Sequence, residues 1–143
     1  MMNKLNLQYT ISYLGLIPYF IILLNKYLLI QIEEEITFNF VVYYTLVICV
    51  FIGSTNWNLE KNISNYLVIY GFLPSIFAVI IIILNLYMYD IAKLFLLLII
   101  FLTAQLLCDY ILIFSKLKNQ KTFYFLRLPL TIFISMALII LQL

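Results

Sequence analysis

Histidine is absent from this chain, glycine and proline occur three times each, and only 10% of the residues are charged. Without histidine there is no bis-histidine haem ligation, no His–Cys zinc site and no imidazole to carry a proton in catalysis. The two cysteines, Cys49 and Cys108, both lie within apolar runs and read as packing residues rather than as a disulfide or a metal site. A net charge of +2 without a basic patch or stripe argues against a nucleic-acid partner. The expectation is therefore a protein with no cofactor, no haem or zinc, and no enzymatic activity.

What the chain does have is apolar surface: 66% of its 143 residues are hydrophobic. Soluble domains are nearer half apolar and about a quarter charged, and a chain this poor in polar residues could not cover a water-exposed surface. Lipid is the solvent that fits, and membrane lipids are the first expected partners.

A spanning helix takes about 20 mostly apolar residues. The runs predict helices over 9–28, 36–57, 65–86, 91–114 and 123–143, with polar or charged connections at Glu33–Glu35, Asn58–Ser64, Tyr87–Asp90 and Ser115–Thr122. Stretches such as Ile76–Leu84 and Leu94–Leu102 are continuously apolar, whereas strands of a membrane barrel alternate. The fold class is thus all-α, a polytopic transmembrane bundle of about five helices forming one domain over 1–143. The side on which odd-numbered helices start carries Lys4, Lys61, Lys116, Lys118, Lys121 and Arg127, and the other side only Lys26 and Lys93. This bias places the N-terminus inside and the C-terminus outside. No cleavable signal is evident, so the first span is expected to stay as an anchor.

A few residues stand out from the apolar background. Gly15 and Pro18 lie in the first span, and Gly53, Asn56 and Trp57 close the second. Gly71, Pro74 and Ser75 lie in the third. Gln105 and Asp109 sit four apart on the fourth, hence on one face, and Arg127, Pro129 and Thr131 open the fifth. Alternating helix direction puts all of these in the inner half of the membrane, leaving outer halves expected to be plain Ile, Leu and Phe.

Asn56, Trp57, Gln105, Asp109 and Arg127 form a candidate inner-leaflet polar cluster. Arg127 is the only arginine and the natural partner for Asp109. That pair is open to three readings: a structural tie between helices, a docking site for a partner protein or lipid headgroup, or a proton or small-ligand site. Pro18 and Pro74 are candidate kinks, since each removes a backbone donor and frees a carbonyl.

Several of these landmarks recur in order: LGLIP (Leu14 to Pro18), Tyr43, FIGSTNW (Phe51 to Trp57), LPS (Leu73 to Ser75), Asp109 and YFLRLPLT (Tyr124 to Thr131). In that order they resemble a family of small membrane proteins known as a domain of unknown function. It occurs in alphaproteobacteria, other proteobacteria and mitochondria, where an animal transmembrane protein carries it. The family pattern near the second helix is closer to a double glycine followed by His-Trp; here Ser54 and Asn56 stand at the second glycine and the histidine. A histidine-based role in relatives would be lost here, whereas a position needing only a polar hydrogen-bonding side chain would not. The resemblance implies a five-helix protein of the bacterial cytoplasmic membrane or mitochondrial inner membrane, and it supplies no reaction.

Three function classes follow. The first is a non-enzymatic subunit, assembly or accessory factor of a membrane complex, with membrane-protein partners. The second is a small transporter or channel. The third is a lipid- or quinone-binding membrane protein.

Overall fold

The computed structural model describes residues 4–28, 33–55, 65–87, 90–116 and 120–143. Those residues are almost wholly helical, and no strand occurs among them. In chain order the elements are α1 (Lys4–Leu14), α2 (Ile17–Leu28), α3 (Glu34–Ser54), α4 (Asn65–Leu86), α5 (Ile91–Leu112), a 3₁₀ turn (Phe114–Lys116), a π-helical segment (Phe123–Arg127) and α6 (Leu128–Gln142). Among the described residues four helical stretches are long and apolar enough to cross a membrane: α3, α4, α5 and Phe123–Gln142. At 1.5 Å per residue, helices of this length match a hydrocarbon core of about 30 Å.

The first predicted span is not one helix. It starts earlier, at Lys4, and breaks between α1 and α2, neither of which is long enough to cross alone. The break follows from Pro18. Proline at 18 has no N–H to give to the carbonyl of Leu14, and the chain answers with a tighter step in which Leu16 N–H bonds Tyr13 O (3.0 Å) before helical bonding resumes from Phe20 N–H to Leu16 O. Pro18 therefore does more than kink the axis. Pro74, by contrast, lies inside α4, which runs from Asn65 to Leu86 without interruption.

The chain divides into two compact units, residues 34–100 and residues 1–33 with 101–143. In the first of these α3 and α4 pack antiparallel: Gly53 meets Gly71 and Pro74, while Asn39 and Tyr43 meet Asn85. The residues that α3 buries include a row spaced by four of small or β-branched side chains, Thr37, Val41, Thr45, Cys49 and Gly53, with Val42 and Leu46 buried beside it. α4 answers with Gly71, Pro74, Ala78 and Ile81. Small residues let two helix backbones approach, which is how membrane helices gain van der Waals contact when lipid is as apolar as leucine. Thr45 is accommodated on this face because its hydroxyl donates to Val41 O within its own helix (2.7 Å). The rings of Phe38 and Phe95 meet edge to face at 5.9 Å, holding the first turns of α3 and α5 together.

In the other unit the N-terminal helices lie parallel to the final span. Tyr9 Oη donates to Thr122 Oγ1 (3.4 Å), and Tyr13 Oη donates to Phe125 O. Phe20 and Phe133 pack at 4.7 Å, and Lys26 Nζ donates to Ile140 O (2.9 Å) and Leu141 O (3.4 Å). The partners stay a near-constant distance apart in sequence, 113, 112 and 114 residues at the three hydrogen-bonded levels, and only parallel helices do that. Lys26 thus reaches carbonyls in the last turn of α6, with its cation at the negative end of the helix.

The closest approach in the α3–α4 pair gives a prediction with an informative sign. A Cβ at Gly53 would lie 2.8 Å from Gly71 O and 2.7 Å from Pro74 Cγ. Gly53→Ala is expected to destabilise the protein by about 1–3 kcal/mol through overpacking, although Gly to Ala in a free helix stabilises by about 0.5–1 kcal/mol. The midpoint of thermal unfolding in mild detergent, wild type beside variant, measures it.

Candidate functional site

α5 presents one continuous buried stripe, Leu94, Leu98, Leu102, Gln105 and Asp109, at spacings of three or four residues that keep them on one face. Its first part is apolar and its last two members are polar. Gln105 and Asp109 are 4% and 1% exposed, so the helix carries a carboxamide and a carboxylate into surroundings closed to water. Arg127 meets the carboxylate, Nη2 to Oδ2 at 2.7 Å, with its own side chain 14% exposed. A contact this short between full charges is a strong, charge-assisted bond.

Local backbone chemistry places Arg127. Pro129 has no N–H for the carbonyl of Phe125, and its ring crowds that carbonyl. The turn before it opens into a π-helix, in which Leu128 N–H bonds Phe123 O. Phe125 O takes its hydrogen bond from the Tyr13 hydroxyl. The widened turn ends at Arg127, which leads into α6 with Pro129 in its first turn. Phe123 is buried beside the pair's end of α5, with Tyr110 at 5.1 Å and Phe114 at 5.3 Å between ring centroids.

Of the five residues of the candidate cluster, the structure brings Asp109 and Arg127 into contact and places Gln105 one turn along the same buried stripe. Asn56 and Trp57 lie outside the described residues. Ser54 and Thr55, just before them, turn their hydroxyls back onto Phe51 O (2.8 Å) and Ile52 O (2.7 Å) in the last turn of α3, where Phe51 O also accepts from Thr55 N–H (3.2 Å). No group of three or more His, Cys, Asp or Glu placed to hold a metal occurs among the described residues.

The expectation that the outer halves are uniformly apolar is overturned. Asn25 is buried in α2, Asn39 lies in the first turns of α3, and Asn85 in the last turn of α4. Their signal in the sequence is a neutral asparagine inside an apolar run, less conspicuous than a glycine, a proline or a charge. The sequence marks Lys26 only through the charge bias, and Tyr13 is one tyrosine among twelve. Their roles as donors to carbonyls of another helix needed three dimensions.

Fold and site together define an integral membrane protein of the all-α class, with a buried carboxylate–guanidinium pair near the end of one span. No family model matches the chain, and no curated protein or solved structure was found to be similar to it.

The pair makes a distinctive set of stabilities. Asp109→Leu or Arg127→Leu alone strands a buried charge and is expected to cost about 3–5 kcal/mol, while the double replacement recovers most of that loss. Unfolding midpoints of the four proteins in one detergent close the cycle, and equal losses that simply add would show that the two side chains do not act as a pair.

Proposed function

We propose that this protein is a non-enzymatic subunit, assembly or accessory factor of a larger membrane complex. The observation that carries the reading is the character of α4. One of its faces is buried against α3, and the rest is a broad apolar surface that includes Ile69, Leu73, Ile76, Ile80 and Ile83. Such a surface suits lateral contact with other membrane helices as well as with lipid. The strongest polar interaction described, Asp109 with Arg127, ties the chain to itself, which supports a scaffold role over a reactive centre. On this reading the N-terminus faces inward, following the lysine bias, and the membrane is bacterial cytoplasmic or mitochondrial inner. The resemblance to the small five-helix family of unknown function agrees with both.

Purification of tagged protein from native membranes in mild detergent tests the reading. A stoichiometric set of membrane proteins is the expected result, identified by mass spectrometry and retained in a variant altered away from the contact. A protein that purifies alone and migrates as a monomer overturns it.

One observation favours a second reading, a small transporter. The broken α1–α2 segment, interrupted at Gly15 and Leu16 ahead of Pro18, is the kind of discontinuous helix that lines substrate paths in transporters. Reconstituted liposomes distinguish the two. Flux of an ion or small solute that disappears in Asp109→Asn would favour transport, and wild-type liposomes no leakier than protein-free ones would favour the accessory role.

A further inference from the structure

A second polar cluster lies in the α3–α4 pair, and it is independent of the accessory-subunit reading. Asn85 Nδ2 donates to Asn39 Oδ1 (2.8 Å) and to Tyr43 Oη (3.0 Å). These bonds use both amide hydrogens of Asn85 and leave those of Asn39 and the phenolic hydrogen of Tyr43. Tyr43 is 38% exposed and both asparagines are half-buried, so the remaining donors are open to whatever surrounds the helices. Asn39 lies one turn below Ile36, about 4–5 Å by helical rise, and Asn85 is next to the last residue of α4. That depth is the boundary between headgroups and acyl chains, where a donor without an acceptor is costly.

The donors belong to an ordered stripe. Glu35, Asn39, Tyr43 and Val47 are four apart and share one face of α3, and Glu35 and Val47 are exposed at its two ends. From the membrane surface inward the stripe reads carboxylate, amide, phenol, hydrocarbon. We propose that it binds a zwitterionic phospholipid with a cationic amine headgroup. The ammonium lies beside Glu35, the phosphate or ester oxygens accept from Asn39 and Tyr43, and an acyl chain runs along Val47. Charge complementarity selects this occupant. Glu34 and Glu35 repel a lipid of net negative charge and attract an ammonium, while the amide and phenol supply donors that phosphate and ester oxygens need.

Native mass spectrometry of the purified chain in non-ionic detergent tests this, with phosphatidylethanolamine titrated against phosphatidylglycerol, an anionic lipid lacking the amine. Wild type is expected to retain phosphatidylethanolamine preferentially. Tyr43→Phe, which keeps the ring and removes the hydroxyl, both the remaining donor and the acceptor for Asn85 Nδ2, is expected to weaken that binding about fivefold to tenfold. Glu35→Gln is expected to abolish the preference for phosphatidylethanolamine without lowering phosphatidylglycerol binding. Unchanged unfolding midpoints for both variants establish that they are folded. Equal binding of the two lipids by wild type, or phosphatidylethanolamine binding unaltered in Tyr43→Phe, overturns the proposal and leaves the cluster hydrated or facing a partner helix.

Discussion

Within hydrocarbon no water is at hand to bond a carbonyl that its own helix has abandoned, and each such group costs several kcal/mol. That constraint explains much of where this chain puts its few polar side chains. Pro129 releases Phe125 O, and the Tyr13 hydroxyl takes it up. In the last turn of α6, Lys26 reaches both Ile140 O and Leu141 O. The end of α3 is closed by Ser54 and Thr55 turning back on Phe51 and Ile52. In the first two cases the donor comes from another helix. Backbone carbonyls thereby become tertiary contacts, and the parallel register of the N-terminal helices against the last span is fixed at two levels by them.

The remaining packing depends on shape. α3 and α4 approach where Gly53 faces Gly71 and Pro74, and the contact tolerates no added methyl. Elsewhere the exposed surface is Ile, Leu, Val and Phe, which lipid solvates as readily as another helix does. Such faces carry little information about which neighbour is correct. The specificity of the fold is therefore concentrated in a small number of close approaches and hydrogen bonds, spaced along helices that are otherwise interchangeable in composition.

The sequence made the helices legible because lipid leaves so few alternatives. A run of about 20 apolar residues admits only a helix or a barrel strand, and continuity rules out the latter. The span over 65–86 matches α4 at both ends, and α5 ends two residues short of the expected 114. In the first span the sequence marks Pro18 as a kink, but hydropathy carries no sign that the chain there divides into two helices, which Pro74 does not make α4 do. Asp109 with Arg127 was legible from uniqueness, a lone arginine and a carboxylate each inside an apolar stretch. Asn39 with Asn85 was not, because neutral amides leave no charge signature and the pair is separated by 46 residues of chain. The π turn was also hidden: Pro129 announces a released carbonyl, and only the fold says that the turn widens rather than kinks.

The buried pair itself calls for a reason beyond stability. An ion pair out of water often contributes no more than apolar residues of the same volume would, because desolvating both charges offsets their attraction. For this chain the alternative would be leucine on α5 facing leucine on the final span, among surfaces already rich in leucine. Such a contact would hold nearly as well one turn higher or lower. A carboxylate and a guanidinium at 2.7 Å do not slip in that way, since a shift of one turn, about 5.4 Å, would strand two charges in a closed interior. The pair therefore works as a register device: its worth lies in the height of the penalty for every other alignment, and the π turn that presents Arg127 is part of the same arrangement.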